Sequence, residues 1–185
     1  RKRKCRKKLM EPLLEIDKIT GENIRRNKNF IKEGQWTVVY TDGSSRNNGK
    51  DNCLAGLGVY FGPGHVLNKG RMVEGEHQSN NIGEIQAVKL AIKIAIRNRD
   101  QITHLLVRTD SLYTMRMIAD LPKKKADGWK NKNKKKIANC KDLMDLYNTL
   151  NSVDYYGTNK GQMCQKTRIV IKFEHVRAHQ DISTS

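Results

Sequence analysis

Several features are scarce in this chain of 185 residues. No apolar run approaches the roughly 18 residues of a membrane-spanning helix. No apolar signal-peptide core follows the basic start. The expectation is therefore a soluble, intracellular protein with no membrane partner. The cysteines, Cys5, Cys53, Cys140 and Cys164, stand far apart with no C-x-x-C pair. That excludes zinc-site spacing and favours free thiols over a disulfide framework. Acidic residues are few, 19 against 36 lysines and arginines, which leaves a formal net charge of +17. Such an excess predicts a polyanionic partner, nucleic acid ahead of an anionic membrane surface. Hydrophobic residues reach only 37%, but they fall in periodic segments, enough for one domain with an appendage. There are no internal repeats.

What is present begins with a basic arm. Residues 1–8 contain seven basic residues and nothing to bury, a solvated run suited to nuclear import or nucleic-acid attachment. Residues 9–34 mix Leu13, Leu14, Ile16, Ile19 and Ile24 with charges and read as a short helix or linker. From Trp36 the pattern sharpens into three strands, about 36–42, 53–61 and 66–74. Turn signals at Asn48-Gly49 and Gly62-Pro63-Gly64 separate them, and together they make an antiparallel meander. Ile85, Val88, Ala91, Ile92 and Ala95 recur at helical spacing from Asn80 to about Arg97. A fourth strand covers His104 to Thr109, and a helix runs from Ser111 to about Asp120, with Pro122 expected to stop it.

Next comes a lysine-rich stretch, 123–136, with eight lysines against one acid. A helix spans Asn139 to about Leu150, a loop 151–166, and a fifth strand Arg168 to Phe173. The order β-β-β-α-β-α-α-β predicts an α/β fold, a five-stranded mixed sheet with helices packed on it.

Three acids stand out by position. Asp42 ends the apolar run Val38-Val39-Tyr40, Glu84 lies in the first turns of the long helix, and Asp110 follows the fourth strand directly. Asp42 alone reads as a turn-initiating residue. Three carboxylates brought together repel one another, however, and make sense only with divalent cations bound. Hard oxygen ligands suit Mg²⁺ or Mn²⁺. Two such ions can activate a water and stabilise the leaving oxygen of a phosphodiester. A basic chain presenting a small acidic metal cluster suggests a nuclease.

The motifs Tyr40-Thr41-Asp42-Gly43-Ser44, Gly56 to His65, Asn80 to Ala87, Thr109-Asp110-Ser111, Gly128-Trp129-Lys130, Asn139 with Asp142, and His175 to His179 occur in one ordered set over roughly 36–181. Together they resemble type 1 ribonuclease H, the endonuclease family that cleaves the RNA strand of RNA–DNA hybrids. The resemblance implies a ribonuclease H-like fold and a two-ion mechanism that leaves 5′-phosphate and 3′-hydroxyl ends. It implies Asp42, Glu84 and Asp110 as catalytic metal ligands and His179 as a loop histidine aiding proton transfer or product release. Asn48, Asn80 and Asn81 are implied to read the RNA strand, where the 2′-hydroxyl distinguishes RNA from DNA. Ser79 and Asn139 are implied to hold a phosphate of the DNA strand, and Tyr113 and Trp129 to contact that strand. Lys123, Lys124, Lys125, Lys130, Lys132, Lys134, Lys135 and Lys136 look like the family's basic protrusion, which grips through phosphates and gives affinity rather than sequence choice.

The sequence also departs from that pattern. The family's fourth carboxylate is expected beyond Ser185, Asp181 is too close to His179 to replace it, and the final helix is absent with it. His77 stands where an Arg is frequent, and Leu121 where a Trp is frequent. The 155–166 loop is longer than usual. The expected layout is a basic arm and linker over 1–35, then a ribonuclease H-like domain over 36–185 lacking its last helix. Two readings follow: a monomeric, Mg²⁺-dependent ribonuclease H, or a catalytically impaired hybrid-binding relative. The expected compartment is the nucleus, ahead of mitochondrion or cytoplasm.

Overall fold

The computed structural model describes residues 28–155 and 169–177, together with the backbone of two short strands, β1 (Glu15–Ile16) and β2 (Asn23–Ile24), which pair antiparallel. The main sheet is organised on β4 (Trp36–Arg46). Val38 and Val39 are fully buried there, as β-branched residues in the centre of a sheet should be. One edge of β4 pairs antiparallel with β5 (Leu54–Tyr60), which pairs antiparallel with β6 (Lys69–Met72). The other edge pairs parallel with β7 (His104–Thr109), and β7 pairs parallel with β9 (Val170–His175). The expected meander and mixed sheet are therefore present.

Two-residue strands extend the five. β3 (Lys32–Glu33) forms a tight hairpin with the start of β4, and β8 (Asp154–Tyr155) pairs parallel with the start of β9. Gly34 supplies the left-handed residue of that hairpin, with φ +57°. The sheet thus draws in residues from just ahead of Trp36, and Phe30 also packs edge-on against Phe61.

Helix α1 (Asn80–Arg97) lies across β4 and β5, buried on nearly every side. Its Ile85, Val88 and Ile92 meet Val39, Leu57 and Val59 from the sheet. Helices α2 (Leu112–Ala126) and α3 (Cys140–Leu150) close the core with Ile118, Leu121, Leu143 and Leu146.

Some sequence expectations are corrected. Pro122 does not stop α2, which runs through it to Ala126. A proline inside a helix removes one backbone donor, but Ile118 and Leu121 are buried at 2% exposure, and that packing holds the helix past the break. The third strand is shorter than 66–74. Asn68 folds 65–68 into a turn by accepting from the Phe61 N–H and donating to the Gly62 carbonyl. The fifth strand begins at Val170 and runs on to His175. Most of the 155–166 loop, His179, Asp181 and the expected place of a final helix lie outside the described residues.

Candidate active site

The sequence repeats one dipeptide, Thr41-Asp42 and Thr109-Asp110, and the sheet explains why. β4 and β7 are parallel neighbours in the register Thr41↔Thr109, so the two strands carry their aspartates at the next position, side by side. Adjacent strands lie about 4.8 Å apart, which brings the two carboxylates together without any special loop. The same register continues to β9, where Thr109 faces His175, whose Nε2 lies 3.1 Å from the Asp110 carbonyl oxygen.

Glu84 arrives from the helical layer. Two glycines, each beside an acid, allow it: Gly43 follows Asp42 and Gly83 precedes Glu84. A Cβ on Gly43 would sit 2.5 Å from the Glu84 backbone nitrogen and 2.9 Å from the Asn80 carbonyl oxygen. One on Gly83 would sit 2.6 Å from the Gly56 carbonyl oxygen. The first turns of α1 therefore rest directly on the backbone of β4 and β5, closer than any side chain would permit. These glycines were not among the sequence-assigned site residues, although the pairing of glycine with acid at both places is a usable signal.

Ligand oxygens of Asp42, Glu84 and Asp110 all lie within 4.8 Å of one another. Glu84 is 2% exposed, while Asp42 and Asp110 reach solvent. Burial pushes the Glu84 carboxyl up to about 7, a hydrogen bond from the Gly43 backbone works against the rise, and the charges of Asp42 and Asp110 add to it. Its Oε2 is buried with no hydrogen-bond partner among the described residues. A buried carboxylate oxygen left without a donor, facing two more carboxylates, is what a hard divalent cation would satisfy. These three residues fit such an ion.

The neighbouring expectations fall around this centre. The Asn48 side chain accepts from the Asn80 N–H at 3.2 Å, joining the 47–50 turn to the start of α1, and Asn81 is exposed beside it. Ser79 caps α1 by accepting from the Ile82 N–H. Ser79 and Asn139 line one polar cleft together with Lys50, Asp51, Cys53, Glu76, His77 and Gln78. Asn139 donates to the Tyr113 hydroxyl at 2.9 Å, so Tyr113 meets that cleft from α2.

Gln86, unassigned from sequence, braces this region. It bonds both backbone groups of Glu74 and donates to Asp142 of α3 at 2.8 Å. A glutamine among the apolar positions of a buried helix was its only sequence signal.

The lysine-rich stretch divides in two. Lys123, Lys124 and Lys125 ride the last turn of α2, whereas Lys130 to Lys136 form an exposed loop closed by one bridge and by the Asn131 carboxamide. Trp129 is half-buried, packed edge-on against Tyr147 with centroids 5.8 Å apart, so it roots the protrusion in the core.

A mixed sheet in this strand order, with two carboxylates just past the last β4–β7 pair and a third from the packed helix, defines a ribonuclease H-like fold with an acidic centre able to hold metal. The RNase H family model matches residues 34–184, and the chain belongs to that family. The resemblance read from the sequence holds. The chain is 39% identical to Ribonuclease H1 of Rattus norvegicus over 118 residues, covering 63% of this chain and 40% of the relative. It is 38% identical to Ribonuclease H1 of Homo sapiens over 126 residues, covering 68% and 43%. Against Ribonuclease H of Schizosaccharomyces pombe it is 38% identical over 112 residues, covering 60% and 39%. It thus spans about 40% of the length of these relatives.

Among solved structures, LC9-RNase H1, a type 1 RNase H with the type 2 active-site motif, superposes with TM-score 0.54 at 22% identity, covering 78% of this chain and 64% of the other. Native prototype foamy virus protease-reverse transcriptase gives 0.51 at 25% identity, covering 80% and 18%. These neighbours share the fold.

Proposed function

We propose that the protein is a metal-dependent endonuclease that hydrolyses the RNA strand of RNA–DNA hybrids, with two Mg²⁺ ions as its resident cofactors and Mn²⁺ as a substitute. The observation that carries this reading is the convergence of Asp42, Glu84 and Asp110 within 4.8 Å, one of them with a buried oxygen that no donor among the described residues satisfies. Family membership and an excess of positive charge support it. Divalent ions held by these three carboxylates would supply Lewis acidity to the scissile phosphodiester.

In the proposed reaction a water oxygen bonds to phosphorus as the bond to the ribose 3′-oxygen breaks. One product carries a 5′-phosphate and the other a 3′-hydroxyl. Asn48, Asn80 and Asn81, clustered at the start of α1, would test for a 2′-hydroxyl beside the acids. Ser79, Asn139 and Tyr113 border the cleft that would seat a phosphate of the DNA strand. Trp129 and the lysines from Lys123 to Lys136 would grip the hybrid's backbone, and His179 would assist proton transfer or product release. The protein acts as a monomer in this reading.

The test incubates a labelled RNA–DNA hybrid with the protein and Mg²⁺ beside an Asp42→Asn variant. Cleavage of the RNA strand alone, lost in the variant and in chelator, is expected. Tight hybrid binding without cleavage under Mg²⁺ or Mn²⁺ would replace this reading with that of a hybrid-binding relative.

A further inference from the structure

Beneath the acidic centre lies a second charged assembly that the family resemblance does not assign. Arg108 is on β7, two residues before Asp110 and therefore on the same face of the strand. In the sheet register it faces Tyr40 on β4, two residues before Asp42, and Glu174 on β9. Its side chain is only 16% exposed. Both terminal nitrogens engage the two carboxylate oxygens of Glu33, at 2.7 and 2.8 Å, while Nε donates to Glu174 at 2.6 Å and Nη1 to the Tyr40 hydroxyl at 3.1 Å. One guanidinium thus ties β3, β4, β7 and β9 together, using the planar fork that suits bidentate carboxylate pairing. Burial opposes its charge, and the bonds to Glu33, Glu174 and Tyr40 outweigh that cost.

We propose that Arg108 is a positioning residue for the metal centre: through Tyr40, Glu33 and Glu174 it fixes the lateral spacing of β4 and β7 where Asp42 and Asp110 emerge. This rests on the metal-dependent reading above. The aspartates sit on separate strands, and backbone pairing between β4 and β7 ends at Thr41 and Thr109. Beyond that point the β4–β7 ladder adds no further pair, while Asp42 stays paired to Gly58 of β5 and the Asp110 carbonyl meets His175 of β9. The Arg108 clamp is a side-chain link across both strands one residue pair before that end. A fixed separation sets how tightly two cations are held, so its loss weakens metal binding before it weakens hybrid binding.

The test compares the full chain with Arg108→Met, Arg108→Lys and Glu33→Ala. It reads Mn²⁺ binding to the protein alone by calorimetry, the Mg²⁺ concentration giving half-maximal cleavage, and kcat against KM for the hybrid. Arg108→Met is expected to weaken Mn²⁺ binding about tenfold and to lower kcat about tenfold, with KM within about twofold. Arg108→Lys, which keeps the charge but not the fork, falls between. Mn²⁺ affinity and kcat within about twofold of the parent in a folded Arg108→Met overturn the proposal. So does a KM that rises in step with the loss of kcat.

If Arg108→Met does not fold, Glu33→Ala decides, because Glu33 is half exposed and removing it opens the clamp on one side only. About threefold weaker Mn²⁺ binding supports positioning, and unchanged binding overturns it. Asp42→Asn serves as the reference. If it leaves Mn²⁺ binding intact, the metal-centre reading itself fails; if it abolishes binding while Arg108→Met and Glu33→Ala do not alter it, only the role of Arg108 fails.

Discussion

Around Asp42, Glu84 and Asp110 the chain commits its most buried elements; between Lys130 and Lys136 it commits almost none. The acids are set by a parallel strand register, by two glycines that let a helix rest on the sheet, and by a core that surrounds α1. The lysines stand on an exposed loop closed by one bridge and one carboxamide, rooted through Trp129. The difference follows from what each region would do. Holding cations tolerates errors of a fraction of an ångström, because coordination distances are short and fixed. Attraction to a phosphate backbone acts over about 10 Å at ordinary salt and tolerates a moving source. Burial is concentrated where distance would matter and omitted where only charge would.

The largest expected effect separates the two regions outright. Asp110→Asn should lower kcat by about a thousandfold or more, about 4 kcal/mol of transition-state stabilisation. Hybrid affinity measured in chelator should stay within about threefold, since the proposed grip lies in the other region. The metal-free melting temperature should not fall, because the substitution removes a like charge from a crowded cluster. Loss of hybrid affinity in proportion to turnover would show that the acidic centre and the grip are not separable.

Next in size is Gly43→Ala. The added Cβ meets backbone at 2.5 Å and 2.9 Å rather than the end of a flexible side chain, so either α1 moves or β4 bends. The expected cost is about 3 kcal/mol in denaturant unfolding, with cleavage reduced further because Glu84 moves with its helix. A folded, fully active variant would mean that the helix can shift without disturbing the site.

The same two regions show what sequence reading can and cannot reach. The three acids were legible because each sits at a recognisable junction: the end of an apolar run, the first turns of a periodic helix, the residue after a strand. The order of elements along the chain was legible from periodicity and turn residues, and the lysine stretch from composition alone. Pro122 misled because a local rule about backbone donors was set against the burial of Ile118 and Leu121 in a core whose other members lie far along the chain. Arg108 and Gln86 were missed for a related reason. Their partners are far along the chain, Glu33 lying 75 residues from Arg108 and Asp142 lying 56 residues from Gln86. No spacing rule connects a single polar residue to a partner across a sheet. What is local in sequence was readable; what is local only in space was not.

The third prediction concerns charge inside the rigid region. In the folded chain the Glu84 carboxyl is raised to about 7 from an ordinary 4.5. Between those values the folded protein holds a proton that the unfolded chain has released. The associated stability is complete below about 4.5 and is lost as pH rises through about 7. In chelator, the parent should lose about 2 to 3 kcal/mol relative to Glu84→Gln between pH 5 and pH 8. Mg²⁺ should remove most of that loss by favouring the ionised form. Parallel stability curves for parent and variant would show that Glu84 is not the group responsible.

The smallest expected effect lies in the loose region and tests whether it acts by charge alone. Lys132, Lys134, Lys135 and Lys136 are all exposed, so replacing the four with Gln should change folding stability by less than about 0.5 kcal/mol per site. Hybrid binding should weaken about tenfold near 100 mM salt, and the slope of log affinity against log salt should fall by about 3 as released counterions are lost. KM should rise while kcat stays within about twofold, the reverse of the pattern expected at Asp110. An unchanged salt slope would mean that this loop does not meet the phosphates. An unchanged slope with a lowered kcat would mean that the loop acts on the acidic centre, and the division between a rigid site and a loose grip would then be wrong for this molecule.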